Sequence, residues 1–181
     1  MPPATDPKPA LLAALADYVL KNGLNSASLR PMAKAAGTSD RMLIYHFGSK
    51  DELITEVTWR LAADLADKLD DALPPTRAET EAACVRDIVR LLRTPTFQPY
   101  MMVWLDIVSA AIQGNANHSA AGAAMIDGYL DWLEQRLPET TKNKPVRAKA
   151  LMTLIEGVVV MDAVGRSAVA DAAIDEWFAS G

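Results

Sequence analysis

The chain has 181 residues, of which 50% are apolar and 23% charged, the balance of a folded protein and not of a disordered one. Its net charge of −5 argues against a uniformly basic nucleic-acid binder, and a single cysteine, Cys84, excludes an internal disulfide or a cysteine-built zinc site. The average hides an asymmetry: residues 1–50 hold six Lys and Arg against three Asp, a net of +3, which leaves −8 for the remainder.

The N-terminus, MPPATDPKPA, has no basic region leading into a long apolar block and does not read as a secretory signal. Leu11, Leu12, Leu15, Tyr18 and Val19 recur on one helical face, and Gly23 stands where that helix would end. Ser28 is a good N-cap for a short second helix through Ala36, closed by Gly37. Thr38 or Ser39 caps a third, running to about Phe47 before Gly48. Ser49-Lys50-Asp51-Glu52 has capping-box spacing and opens a long fourth helix, with Leu53, Ile54, Val57, Leu61, Leu65 and Leu69 on its apolar face. Pro74-Pro75 stops it.

Further helices are predicted at about 77–93, 97–113, 119–136, 145–164 and 168–179, separated by Pro95, the 114–117 turn, the 138–145 segment and Gly165. No alternating run of strand length interrupts them. The longest apolar run, residues 150–161, carries Thr153 and Glu156 and is too short to cross a bilayer, which predicts a cytoplasmic chain with no membrane association. The fold expected is all-α: an N-terminal three-helix helix-turn-helix head, residues 1–52, joined by the long fourth helix to a helical body, residues 53–181.

A helix, a short Gly-containing turn and a second helix with polar outward positions is the plan of a unit whose second helix lies in the DNA major groove, though ordinary bundles use the same connection. Thr38, Ser39, Asp40, Arg41 and Met42 fall at the end of the reader helix that would enter the groove. Arg41 suits a two-pronged contact to guanine. Asp40 would accept from a cytosine amino group, orient Arg41, or simply favour the positive end of the helix dipole. Ser28, Tyr45, His46 and Lys50 suit the rim, where they would donate to phosphate oxygens.

The stretch SLRPMAKAAGTSDRMLIYHFGSKDELI, Ser28 to Ile54, closely resembles the DNA-binding head of the TetR family of bacterial transcriptional repressors. The resemblance lies in the A-x-x-A-G pair, the L-x-Y-H-F end of the reader helix and the following G-S-K-[DE]-x-L, over about the first third of the chain. It implies a homodimer binding a double-stranded operator, with a ligand-binding body that shifts the two heads. By the same resemblance Tyr45, His46, Lys50 and Ser28 fall at phosphate-contacting positions and Thr38 to Met42 at base-reading ones. Asp40 departs from the Lys, Arg, Gln or Pro common in that family, which puts its base contact in doubt.

In the body, residues 150–161 are apolar on almost every helical face, and the last helix carries an apolar stripe. A partner chain is the simplest cover, and Leu151, Leu154, Ile155, Val158, Ile174, Trp177 and Phe178 are the expected dimer interface, the resemblance placing that face on the last two helices. Tyr100, Met101, Trp104, Met125, Tyr129, Trp132 and Met152 suit a pocket for an unidentified, partly apolar small-molecule effector, and suit a packed core equally well. Asp106 and Glu156 each need a partner, a cationic ligand or a nearby arginine. No hydrolase, metalloprotease or nucleotide-binding motif is present, and two histidines at no ligand spacing leave little for catalysis. The expected function is a DNA-binding regulator released by a small molecule, with no cofactor; a DNA-binding dimer without an effector is the alternative, and a helical enzyme a remote one.

Overall fold

The computed structural model describes residues 6–74 and 76–179, and every regular element among them is helical. Residues 1–5, where the reading of the N-terminus begins, and Pro75, half of the expected helix stop, lie outside the described residues. In chain order the helices are α1 Lys8–Asn22, α2 Leu29–Ala35, α3 Asp40–Phe47, α4 Lys50–Ala72, α5 Glu81–Leu92, α6 Gln98–Ile112, α7 Ala116–Arg136, α8 Lys144–Ala163 and α9 Ser167–Ala179. One 3-10 turn, Leu24–Ser26, joins α1 to α2; no sequence periodicity announced it.

The ends of these helices have local causes. α3 starts at Asp40 because the Ser39 hydroxyl accepts from the Met42 amide at 3.3 Å, which selects Ser39 over Thr38 as the cap. Ser49 accepts from the Glu52 amide at 3.1 Å and opens α4, the first half of the predicted capping box. α5 begins four residues later than expected, because Thr80 caps it by accepting from the Ala83 amide at 3.0 Å. The preceding residues are spent elsewhere: Arg77 donates to the Leu137 carbonyl at 3.1 Å, and the Ala78 amide to that of Arg136 at 3.3 Å.

The chain forms two compact units, one of residues up to 66 with 98–125, the other of 67–97 with the residues from 126 on; the division falls within α4 and within α7. In the first unit α1 packs on α2 and α6, and α2 on α3. Leu15, Val19, Met32, Leu43, Leu53 and Val57 are fully buried there. In the second, Val85, Ile88 and Val89 of α5 pack with Leu133 and Leu137, with Leu151, Met152, Ile155 and Val158 of α8, and with Ala170 and Ile174 of α9. Cys84 belongs to the same cluster, and burial pushes its thiol up to about 11, so it stays protonated and serves as a small apolar side chain.

That cluster takes up most of the residues expected at a dimer interface. Leu151, Ile155, Val158 and Ile174 are at most 4% exposed and face the interior of their own protomer. Leu154 and Phe178 pack partly against the same core, and only Trp177 of the expected set is exposed. Residues 150–161 are apolar on almost every helical face, so periodicity left the orientation of α8 open. The structure turns the large residues in and leaves Thr153, Gly157, Val160 and Val164 outside, with Val169, Ala172, Ala173 and Trp177 exposed on α9.

Candidate nucleic-acid interface

The reader unit is built from α2, a turn and α3. Met32 and Ala33 bury the inner face of α2. Gly37 has φ +65 in the turn and nothing lies within 4 Å of where a Cβ would stand, so only the backbone angle calls for glycine; another residue would cost roughly 1–2 kcal/mol. The Thr38 amide donates to the Ala33 carbonyl at 2.9 Å and closes the turn. Leu43 and Phe47, four residues apart, anchor α3 on the first unit's core, while Ile44 is half-buried. The opposite face, Arg41, Met42 and Tyr45, is exposed, Tyr45 to 77%.

The expected base-reading residues are placed unequally. Asp40, Arg41 and Met42 are exposed, Thr38 is half-buried, and the Ser39 oxygen is engaged as a cap. Asp40 sits in the first turn of α3, the position that the helix dipole favours for a carboxylate. Of the rim residues, Ser28 has extended backbone and its side chain makes no capping bond to α2, which leaves the hydroxyl to another acceptor. Tyr45 and Lys50 are exposed; His46 is half-buried, its ring edge-on to Tyr45 with centroids 5.1 Å apart.

Several cations of this region have no charge partner within the chain. Among the described residues Arg30, Lys34, Arg41 and Lys50 are exposed and make no ion pair. Arg30 and Lys34 entered the charge balance but had no assigned role; lying on α2 next to the reader, they extend the unpaired positive surface. Lys8 is used differently. Its ammonium meets Glu56 at 2.7 Å and lies 5.1 Å from the Phe47 ring centroid, fastening the start of α1 to α3 and α4.

The residues expected to line an effector pocket have other work. Asp106 receives the Leu24 and Asn25 amides and the Asn25 side chain, so its partner is neither a ligand nor an arginine. Tyr100 and Met125 are buried in the first unit, with Met101 and Trp104 half-buried. Burial, then the Asp64 carboxylate, pushes the Tyr100 hydroxyl up to about 12. In the second unit Met152 is a core residue, with Tyr129 and Trp132 packed partly against that core. The Trp132 indole donates to Asp70 at 2.7 Å and Arg136 pairs with the same carboxylate; the indole bond foremost holds Asp70 below the usual carboxylate range. Glu156 is half-buried. His118 sits in the first turn of α7, its Nδ1 buried without a partner beside Asp51, Thr55 and Thr58.

Residues 11–57 match the family model described as bacterial regulatory proteins, tetR family. The chain carries a tetR-family head. The whole fold is similar to solved structures at low identity. One is a transcriptional regulator, SCO7518, from Streptomyces coelicolor A3(2), with a TM-score of 0.71, 21% identity, and 93% of this chain and 96% of that one covered. A TetR-family regulator from Rhodococcus sp. aligns with a TM-score of 0.70 at 14% identity over 96% of each chain. The multidrug-binding protein EbrR, complexed with proflavin, aligns at 0.70 with 17% identity over 93% of this chain and 98% of its own. No curated protein matches the sequence. The tetR-family match ends within α4 and spans the whole reader unit described above. No helix is long and apolar enough to cross a membrane, and no cluster of three potential metal-ligating side chains occurs among the described residues.

Proposed function

We propose that this chain is a DNA-binding transcriptional regulator that works as a homodimer, each tetR-family head laying α3 in the major groove of one half of a partly palindromic operator. The observation that carries the reading is the outer face of α3. Arg41, Met42 and Tyr45 are exposed there, Arg41 makes no ion pair among the described residues, and Leu43 and Phe47 hold the helix from behind. A guanidinium left in water at the outer face of a rigid helix suits base-edge recognition. Ser28, Tyr45, His46 and Lys50 donate to flanking phosphates, with Arg30 and Lys34 adding to the field. Residues 1–52 do the reading and 53–181 the pairing and sensing, a division of labour that is functional and need not follow compactness.

Pairing is assigned to exposed, uncharged residues: Thr153, Gly157 and Val160 of α8, Val164 just after it, and Val169, Ala173 and Trp177 of α9. Release by a small apolar or cationic effector is supported by likeness in fold to a protein that holds proflavin. The partners found for Asp106, Trp132 and Met152 favour the simpler alternative, a DNA-binding dimer without an effector at those residues. A thermal-shift screen separates the two, because a ligand that binds only the folded state raises its melting temperature. A cytoplasmic location, contact with neither membrane nor cofactor, and absence of catalysis accompany the proposal.

Selection of duplexes from a randomised pool by the purified protein tests it directly. Recovered sites should show two related half-sites about 10 base pairs apart or a multiple of that. No enrichment at modest ionic strength overturns the reading.

A further inference from the structure

The chain has two histidines, and both belong to the first unit. His46 is in the last turn of the reader helix, and His118 is in the first turn of α7, where the Asn115 side chain accepts from the His118 amide at 3.1 Å and caps the helix. That turn lies beside the start of α4. The His118 ring shares a small cavity with Asp51, Ile54, Thr55 and Thr58, and its Nδ1 is buried there without a hydrogen-bond partner. The threonines have no hydrogen to offer it. Thr55 donates its hydroxyl to the Asp51 carbonyl at 2.9 Å, and Thr58 donates to the Thr55 carbonyl at 2.8 Å. An ionised carboxylate at Asp51 only accepts, so on the α4 side Nδ1 meets acceptors alone. A lone pair is misplaced in that company, and an N–H is not.

We infer that His118 and Asp51 form a proton-sensitive pair that tunes DNA affinity: an imidazolium at His118 donates from Nδ1 to the Asp51 carboxylate and offsets a negative charge beside Lys50. This role presupposes the DNA-binding reading proposed above, and it concerns a single head. Imidazole is the side chain that ordinarily changes charge between about pH 5 and 8, and its protonated form always carries a hydrogen on Nδ1. Among the residues lining the cavity, Asp51 is the one titratable side chain besides His118. The neighbouring acids of α4 are engaged elsewhere: Glu52 lies against Gly48, and Glu56 pairs with Lys8. Asp51 is exposed in the first turn of α4 and makes no ion pair among the described residues, so its carboxylate is at liberty to turn toward the ring. Lys50 precedes it and is assigned to phosphate. An uncompensated carboxylate next to that lysine repels the duplex, and pairing it removes the repulsion.

The test measures affinity for the selected duplex at about pH 7.5 and about pH 5.5, either side of the ordinary imidazole range, at one modest ionic strength. The proteins are the full chain, His118→Gln, Asp51→Asn and the double variant. His46 remains in all four, so whatever its own protonation adds at the reader helix is common to them. The full chain should bind roughly tenfold more tightly at the lower pH, and either single variant should reduce that gain to roughly threefold. The double variant should reduce it no further, because one interaction has been removed twice. At the higher pH Asp51→Asn should already bind roughly threefold more tightly than the full chain, the repulsion being gone. Melting temperatures at both pH values establish that each variant is folded. If His118→Gln is not, Asp51→Asn, a change at an exposed residue, decides alone.

A full chain without the gain overturns the inference alone, as does a single variant that keeps it entire. Losses that add in the double variant do the same, because they would make the two residues independent. A chain that prefers no duplex at either pH overturns the DNA-binding reading and the inference with it.

Discussion

Six of the seven arginines of the second unit are paired, Arg166 being the exception among the described residues, whereas neither arginine of the head is. In the second unit Arg77 pairs with Glu139, Arg86 with Asp175, Arg90 with Asp87, Arg136 with Asp70 and Arg147 with Glu81, while Arg93 meets both Asp162 and Asp171. In the head Arg30 and Arg41 make no ion pair among the described residues, nor do Lys34 and Lys50. Exposed pairs stabilise a fold only slightly, so the contrast matters less for stability than for recognition. A cation already matched within the chain offers little to a phosphate, and one left unmatched offers its whole field. A chain of net charge −5 can therefore present a surface for a polyanion, because what counts is the charge left over on one face.

The comparison is sharpened most by a core substitution. Leu151→Ala should destabilise the protomer by roughly 2–5 kcal/mol, read as a lower melting temperature at every protein concentration. Had Leu151 lain on a partner face, the effect would appear as weaker association; Val160→Glu should do that instead, in sedimentation equilibrium. A Leu151→Ala protein with unchanged melting and weakened association would reverse the burial assigned to α8.

The head comes next. Arg41→Ala should cost about 1–3 kcal/mol against the selected operator and relax preference at one position per half-site, whereas Lys50→Ala should weaken all sequences alike and reduce the salt slope by about one. Equal loss on every sequence for Arg41→Ala would remove its base-reading role. The same substitution at a paired arginine such as Arg86 should leave DNA affinity unchanged.

The smallest expected effect concerns the pairs themselves. Burial acts to raise the Asp162 carboxyl, but hydrogen bonds from Arg93 and Ser167 and the Arg93 charge outweigh it and hold the group below its usual value. A carboxyl lowered on folding contributes stability that is fully present above its unfolded pKa of about 3.9 and is lost as pH falls through the folded value. Asp162→Asn should accordingly flatten the fall in melting temperature below about pH 4. An unchanged acid limb would mean that the pair adds nothing, while leaving the head untouched.

Much of the head was legible because its signals are local. The Gly37 turn and the Leu43 and Phe47 anchors act within a few residues and stand where the pattern predicted, and the cap is Ser39, one of the two residues the pattern offered. The body was legible in helix number and approximate limits only. Asp106 was read as a residue needing a cationic ligand or a nearby arginine, because the donors it serves, Leu24 and Asn25, lie over eighty positions away. Arg30 and Lys34 were passed over because exposure and lack of a partner are properties of a surface and cannot be read from a spacing.

By itself the amino-acid order determined the helical character of the chain, the caps and glycines that divide it, and the letters of a tetR-family reader, since capping, turn geometry and amphipathic period are settled within one or two helical turns. Only the tertiary structure decided which side of α8 turns inward, which cations stay unmatched and what Asp106 holds. Those depend on which distant segments meet, and an apolar helix or a lone carboxylate is compatible with many neighbours until packing selects one.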